Sequence, residues 1–120
     1  MVKQYRQPVG RILLELPAGI LRRREDPTEC ARRELLEETG YKARNLYRMI
    51  SFYMAPGYST EIIHTFKATG LTKSRQNTDE DEFIQVVEVD LDDCAKMVRR
   101  NEIIDAKTIC GIHALALGRR

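Results

Sequence analysis

The sequence has little of several features that would assign it to a specialised class of protein. Its 120 residues contain no tryptophan and only three cysteines, Cys30, Cys94 and Cys110. An odd number of widely spaced cysteines argues against a disulfide framework and predicts reduced, mostly buried thiols in a cytoplasmic protein. Only His64 and His113 could join them as ligands, and no spacing fits a zinc site.

Long apolar runs and a strong charge of one sign are also missing. No stretch approaches the roughly 20 apolar residues of a membrane helix, and the first residues carry no apolar signal-peptide segment. The net charge is only +2, and the most basic run, Arg22-Arg23-Arg24, is followed at once by Glu25 and Asp26. We therefore expect neither a membrane protein nor a nucleic-acid-binding protein.

What remains has the composition of a single globular domain over residues 1–120. Hydrophobic residues make up 42% of the chain and charged residues 32%, and a chain of this length can bury a core without disulfides or metal. The polar, acidic segment 71–82 is predicted to be a loop. The patterns predict strands at 2–7, 11–16, 43–54, 60–69 and 83–89, and helices at 27–39, 91–100 and 105–117. This mixture indicates an α/β layered fold.

The first predicted helix has clear signals at both ends. Asp26 can cap it, Pro27 suits the first helical position, and Glu29 completes an Asp-x-x-Glu capping box. Gly40 follows the last helical residue, where a left-handed backbone conformation is favoured. The helix is therefore predicted to span residues 27–39.

This helix carries three carboxylates, Glu34, Glu37 and Glu38, within an arc of about 100°. Like charges one turn apart destabilise a helix by a few tenths of a kcal/mol per pair. A divalent cation, which takes oxygen ligands, would make the same arrangement favourable. Arg33 can hold a neighbouring carboxylate through a charge-assisted pair. Taken alone, however, an acidic helix face is more often simply solvated.

The wider spacing favours the metal-binding interpretation. From Gly19 to Tyr41 the sequence reads Gly, five residues, Glu25, seven residues and then Arg33-Glu34-Leu35-x-Glu37-Glu38-x-Gly40-Tyr41. This pattern resembles the Nudix box at every defining position, and the chance of such a match is on the order of one in a million or lower. The basic segment Leu21–Arg24 departs from the residues that many members carry, which we expect to alter loop shape more than metal binding.

The resemblance implies a Nudix-type α/β/α sandwich with a mixed sheet, and hydrolysis of a nucleoside diphosphate joined to a second group. It implies Mg²⁺, or alternatively Mn²⁺, as the cofactor. Cations neutralise the charge of a diphosphate and activate water. Glu25 would organise the loop, and Arg33 and Glu37 are implied to take part in catalysis. The implied metal ligands in and before the helix are the Ala18 carbonyl, Glu34, Glu37 and Glu38.

Segments outside the box are similar to the ADP-ribose pyrophosphatase branch of this family: Gln4-Tyr5-Arg6, Glu15–Gly19, Pro56-Gly57, residues 79–82 and residues 102–108. The branch implies cleavage of ADP-ribose to AMP and ribose 5-phosphate. It implies substrate contacts at Arg6, Pro56 and Gly57. In the acidic loop it implies Glu80 as general base and Glu82 as a further metal ligand, and the reverse assignment stays open.

The branch usually has a further N-terminal segment, which forms a small sheet, builds a homodimer and completes the adenosine pocket. This sequence starts shortly before Gln4, so we expect an N-terminally short sandwich, and we expect a homodimer as its assembly. Two alternatives stay open. One is a Nudix hydrolase for another nucleotide sugar or a dinucleotide. The other is a Nudix-fold module that binds a nucleotide without cleaving it.

Overall fold

The chain combines strands and helices, as the sequence predicts. A computed structural model describes residues 1–75 and 84–118. In chain order the elements of these ranges are β1 (Val2–Arg6), β2 (Arg11–Glu15), α1 (Pro27–Thr39), β3 (Tyr41–Tyr53), β4 (Ile62–Lys73), β5 (Ile84–Val86), α2 (Leu91–Arg99) and α3 (Ala106–Leu117). The α/β class is confirmed.

The first sheet has three antiparallel strands in the order β2-β1-β5. A short 3₁₀ turn, Gln7–Val9, joins β1 to β2 and ends at Gly10, whose φ of 64° is left-handed. The register places Val2 opposite Glu15. Residues directly opposite each other point to the same face of a sheet, and both of these side chains are buried. A carboxylate is therefore held on the inner face of this sheet.

The second sheet is a long two-stranded ribbon of β3 and β4, with a bulge between Arg48 and Ser51. The Thr65 hydroxyl stabilises this bulge, because it accepts from the Ile50 N–H at 3.2 Å and donates to the Ile50 carbonyl at 2.9 Å. Every strand pair within the described ranges is antiparallel. The parallel pairs that a mixed sheet requires are thus not observed there, since each strand pairs with a neighbour that runs in the opposite direction.

Strand β4 is longer than the sequence predicts. Residues 71–73 were expected to begin a loop, yet they continue the strand and pair with Tyr41, Lys42 and Ala43 of β3. Their polar composition favours a loop locally, but the ladder with β3 satisfies their backbone groups. Strand β4 therefore ends at Lys73, inside the segment 71–82 that was predicted to be a loop.

Helix α1 has the predicted bounds, and Asp26 and Gly40 cap it as expected. The Asp26 carboxylate accepts from the Thr28 N–H at 2.8 Å, and Gly40 has a φ of 75° and donates to the Leu36 carbonyl. The most buried side chains toward its end are those of Glu38 and Thr39, while Leu36 is only half-buried. A carboxylate is thus turned inward near the end of this helix.

The hydrophobic core lies between the three-stranded sheet and helices α2 and α3. Its buried members are Leu14, Cys94, Ile103 and Ile112. The thiols of Cys30 and Cys94 are free and buried, and that of Cys110 is free and half-buried, as predicted. Among the described helices, none combines the length and the apolar composition needed to cross a bilayer.

Candidate active site

Arg33 is the centre of a group of carboxylates on and before α1. Its guanidinium grips Glu25 with two hydrogen bonds, from Nε to Oε2 and from Nη2 to Oε1, each 2.9 Å long. Nη1 donates to Glu34 at 2.6 Å and to Glu37 at 3.2 Å. One guanidinium thus orients three carboxylates and draws Glu25, which precedes the helix, onto α1. We call these four residues the Arg33 cluster.

Glu25 is a strongly stabilised anion in the Arg33 cluster. The hydrogen bonds from Arg33, followed by the Arg22 N–H at 3.0 Å, lower the pKa of Glu25 to about 2. In return, Glu25 and then Glu34 raise the pKa of Arg33, although partial burial opposes this rise. Both groups are therefore charged throughout the neutral range, and Glu25 closes the basic loop back onto α1.

Glu34 lies directly on Gly19. A methyl group placed at the Gly19 Cα would overlap the carboxyl carbon and one oxygen of Glu34. The backbone of Gly19 does not have a positive φ, so the need for glycine here is steric rather than conformational. The Pro17-Ala18-Gly19 turn and the carboxylate of Glu34 thus fit together only because position 19 lacks a side chain.

The same turn also contacts the buried carboxylate of α1. The Ala18 N–H donates to Oε2 of Glu38 at 3.1 Å, and Glu38 is only 6% exposed. Ala18 therefore lies beside the acidic face of the helix, as the resemblance implies. Its carbonyl as a metal ligand stays a prediction.

The donor atoms gathered here suit a hard cation. Glu34, Glu37 and Glu38 offer carboxylate oxygens, and the adjacent turn adds backbone groups, which is the chemistry that Mg²⁺ and similar ions prefer. Over residues 1–75 and 84–118, no three His, Cys, Asp or Glu side chains are arranged as a ready metal-binding group. Arg33 explains part of this absence, because its guanidinium draws Glu34 and Glu37 toward itself.

Arg6 is held by a carboxylate of its own sheet. Its Nε and Nη2 donate to Glu15 at 2.8 and 3.0 Å. Glu15 is almost fully buried and also accepts from Lys107 at 2.5 Å, which in turn donates to Asp105 at 2.9 Å. Burial raises the pKa of Glu15, but the hydrogen bonds from Arg6 and Lys107 outweigh it and hold the pKa below its usual value. Substrate contact by Arg6 stays a prediction.

Sequence reasoning missed this second group, which we call the Glu15 cluster and which comprises Arg6, Glu15, Asp105 and Lys107. One local signal was available: Glu15 is a charged residue between Leu14 and Leu16, in the apolar part of a predicted strand. A buried carboxylate needs a cationic partner, so that position alone predicts one. Nothing local identifies Lys107, since 92 positions separate it from Glu15.

The remaining predicted site residues lie elsewhere. Pro56 and Gly57 form the turn after β3, where the Tyr58 N–H donates to the Ala55 carbonyl at 3.1 Å. This turn is at the end of β3 that lies away from α1 along the chain, and substrate binding by it stays a prediction. Glu80 and Glu82 lie outside the described residues.

Comparison with known proteins agrees with this geometry. Residues 1–110 match the family model described as the NUDIX domain, so the chain belongs to the Nudix family. A crystal structure of an ADP compounds hydrolase superposes with a TM-score of 0.87 over 96% of this chain and 62% of that one, at 23% identity. The Nudix-type fold expected from the sequence is thereby confirmed.

The chain is similar in sequence to curated proteins that carry different functional names. ADP-ribose pyrophosphatase of Bacillus subtilis is 46% identical over 98% of this chain and 64% of its own length. Methanol dehydrogenase activator of Bacillus methanolicus is 42% identical over the same shares. GDP-mannose pyrophosphatase of Yersinia enterocolitica is 38% identical over 91% of this chain and 61% of its own length. The chain thus spans less than two thirds of the relatives that it matches.

Proposed function

We propose that this protein hydrolyses the diphosphate bond of ADP-ribose, yielding AMP and ribose 5-phosphate, with Mg²⁺ as its cofactor. The observation that carries the proposal is the fit of Glu34 onto Gly19 while Arg33 holds Glu25, Glu34 and Glu37. In this geometry the defining residues of the Nudix box act together to hold the carboxylates in fixed positions. The similarity to an ADP-ribose pyrophosphatase supports the choice of substrate.

In this proposal the carboxylates of α1 and the turn before it hold the cation. Glu34, Glu37 and Glu38 are its ligands on the helix, and the Ala18 carbonyl and Glu82 are its ligands outside it. When bound, the cation supplies charge neutralisation for the diphosphate and lowers the pKa of a bound water. Mn²⁺ has the same ligand preference and can substitute for it.

The protein's own residues orient the reactants. Arg33 fixes the directions of Glu34 and Glu37 through the bonds described above. Glu80 accepts the proton of the attacking water as general base. Arg6 still has donors beyond the two bonded to Glu15, and Arg6, Pro56 and Gly57 bind the substrate in this proposal.

The decisive experiment is product analysis of ADP-ribose with Mg²⁺, comparing the wild-type chain with Glu38→Gln. The matched control is Glu29→Gln, which removes a carboxylate from the exposed face of the same helix. We expect AMP and ribose 5-phosphate from the wild type and from Glu29→Gln. In Glu38→Gln we expect a loss of about 100-fold or more, since even outer-shell partners of a metal site are worth about 10- to 100-fold.

A separate measurement tests the metal site without turnover. A ligand that binds only the folded protein, supplied at 100 times its Kd, raises the unfolding free energy by about 2.7 kcal/mol. We expect Mg²⁺ to stabilise the wild type and Glu29→Gln in this way, and to leave Glu38→Gln unchanged. Equal stabilisation of all three proteins would contradict the assignment of Glu38.

A second substrate has specific support, because relatives at 36–39% identity are named GDP-mannose pyrophosphatase. Initial rates with ADP-ribose, GDP-mannose and diadenosine compounds should be compared side by side. A higher kcat/KM for GDP-mannose would move the proposal to that substrate. Binding of ADP-ribose in the presence of Mg²⁺ without any product would instead identify a nucleotide-binding module.

We also propose that residues 1–120 act as one domain, that two copies form a homodimer and that the protein works in the cytoplasm. Tyr5 and Ile12 lie opposite each other on β1 and β2 and are 58% and 65% exposed. Apolar side chains exposed together in this way are typical of a contact surface. Light scattering coupled to size-exclusion chromatography tests the assembly, and a monomer at all concentrations would refute it.

A further inference from the structure

Helix α3 anchors the segment that leads into the candidate site. The Leu16 N–H donates to the Thr108 hydroxyl at 3.0 Å, and Thr108 is completely buried. The Leu16 side chain packs onto Gly111 one turn further along, where a Cβ would come within 2.5 Å of a Leu16 methyl carbon. Both the backbone and the side chain of Leu16 are therefore fixed against the same face of α3.

The Thr108 hydroxyl can accept this bond because its proton is used elsewhere. The hydroxyl donates to Asp105 Oδ2 at 2.6 Å, and the Thr108 N–H donates to the same oxygen at 3.1 Å. Lys107 adds a third donor at 2.9 Å. Burial raises the pKa of Asp105, but these hydrogen bonds outweigh it and keep the carboxylate charged. The acceptor lone pairs of Thr108 are thus turned toward Leu16.

The other end of the same segment contacts α1. Two residues after Leu16, the Ala18 N–H donates to Glu38, and the next residue, Gly19, supports the carboxylate of Glu34. The segment 16–19 therefore spans from α3 to the carboxylates of α1 in four residues. So short a segment has little freedom to absorb a displacement at one end.

We propose that Thr108 is a positioning residue for the metal site: it fixes Leu16, and thereby the placement of Ala18 and Gly19 against Glu38 and Glu34. This inference rests on the proposed function, in which those carboxylates and the Ala18 carbonyl hold the cation. Thr108 itself touches neither the cation nor the substrate in this proposal. A displacement of the turn by even about 1 Å is enough to weaken such a site.

The test compares Thr108→Val with Thr108→Ser and with Thr65→Val. Valine keeps the shape of threonine but removes the acceptor, whereas serine keeps it. Thr65→Val is the matched control, since it also removes a buried hydroxyl that bonds a backbone N–H, that of Ile50 rather than the turn. Three quantities are measured for each protein: hydrogen exchange of the Ala18 amide by NMR, affinity for Mn²⁺ by titration, and kcat and KM with ADP-ribose.

We expect Thr108→Val to raise the Kd for Mn²⁺ about tenfold, in the range found for outer-shell partners. The Ala18 amide should exchange faster relative to amides of the core, and kcat should fall more than KM rises. Thr108→Ser should restore all three quantities. Thr65→Val should lower the overall stability while leaving the relative exchange of Ala18 and the Mn²⁺ affinity unchanged.

The proposal is overturned if Thr108→Val alters Ala18 exchange and Mn²⁺ affinity no more than Thr65→Val does. If Thr108→Val does not fold, Gly111→Ala gives a second test. This variant pushes on the Leu16 side chain while favouring the helix by about 1 kcal/mol. It should also make the Ala18 amide exchange faster. Failure of the proposed function would be recognised separately, as a wild-type protein that cleaves no nucleotide sugar. In that case the hydrogen exchange of the Ala18 amide still decides whether Thr108 positions the turn.

Discussion

The Glu15 cluster and the Arg33 cluster are similarly shielded from solvent but differ in charge balance. In the Glu15 cluster, two carboxylates face two cations, and the side chains of Glu15 and Lys107 are 2% and 15% exposed. In the Arg33 cluster, one guanidinium faces three carboxylates, and the side chains of Arg33 and Glu34 are 17% and 16% exposed. The exposed guanidinium of Arg22 adds one contact to Glu37 at 3.6 Å, so carboxylates still outnumber cations. Glu38 adds a further buried carboxylate beside the second cluster.

This is the difference expected between buried charge that stabilises the fold and buried charge that binds a cation. A balanced group satisfies itself, so removing one member leaves an uncompensated charge and costs stability. A group with surplus carboxylates is stabilised further by a cation from solution. We therefore expect substitutions in the Glu15 cluster to act mainly on folding, and substitutions in the Arg33 cluster to act mainly on metal affinity.

The largest effect is expected for Lys107→Met, which removes a cation from the balanced cluster. Glu15 and Asp105 would both lose an ion-pair partner at low exposure. Breaking a buried pair costs about 3–5 kcal/mol, and because Arg6 still pairs with Glu15 we expect about 3 kcal/mol. Denaturant unfolding without metal measures it.

The control for this prediction is Lys96→Met. Lys96 pairs with Asp93 at 3.5 Å, and both side chains are more than half exposed. Exposed pairs contribute about 0–1 kcal/mol, so this variant should be nearly neutral. If the two methionine variants lost the same stability, the balanced cluster would not be a stabilising structure.

The next largest effect is expected for Gly19→Ala, acting on the unbalanced cluster. The added methyl group overlaps the end of the Glu34 side chain, which is flexible and can move away. The fold should therefore tolerate the change, with a loss below about 1 kcal/mol. Affinity for Mn²⁺, measured by titration, should fall about 10- to 100-fold because Glu34 is displaced.

A double-mutant cycle sharpens this prediction. If Gly19→Ala acts only through Glu34, it should change Mn²⁺ affinity little once Glu34 is already alanine. The two substitutions would then be strongly non-additive, as expected of residues in contact. Additive losses would show instead that the methyl group disturbs the turn itself.

A smaller effect concerns acid stability. The folded-state pKa of Glu25 is about 2, below its ordinary value of 4.5. A lowered pKa stabilises the folded protein above pH 4.5, and this contribution is lost as the pH falls from 4.5 toward 2. Glu25→Gln should therefore be less stable than the wild type at pH 6, and the difference should shrink in that window. Thermal unfolding across the range measures it, and a constant difference would contradict the pairing with Arg33.

The smallest effect is expected at Arg24, which has a left-handed backbone with a φ of 63°. A side chain in this conformation costs about 1–2 kcal/mol, and glycine removes that cost but adds about 0.5–1 kcal/mol of unfolded-state entropy. Arg24→Gly should therefore stabilise the protein by up to about 1 kcal/mol in denaturant unfolding. Arg23→Gly, at a neighbour outside the left-handed region, should destabilise it.

Sequence predicts the fold best where a few adjacent residues decide the structure. Helix α1 begins and ends as predicted because Asp26 and Gly40 each act within one turn of the chain. The end of β4 is not predicted, because residues 71–73 are held in the strand only by distant residues of β3. The local preference of a segment for strand or loop is a weak guide when hydrogen bonds to a neighbouring strand can override it.

The same distinction applies to the candidate site. Helical spacing places Arg33 one turn from Glu37 and groups Glu34 with Glu37, and in the structure Arg33 contacts both carboxylates. The burial of Glu38 is not predicted, since the Ala18 turn that contacts it comes from 20 residues earlier in the chain. The contact of Thr108 with Leu16 is harder still to predict, because 92 positions separate the two residues and no spacing rule links them.

The contact between Gly19 and Glu34 also has an evolutionary consequence. Position 19 needs glycine to make room for the carboxylate, since its backbone does not have the positive φ that by itself favours glycine. In a descendant that has lost the carboxylate, selection would no longer act against larger residues at position 19. Lineages that still depend on this site should therefore retain both Gly19 and Glu34. Lineages that keep the fold without the site should show substitutions at both positions.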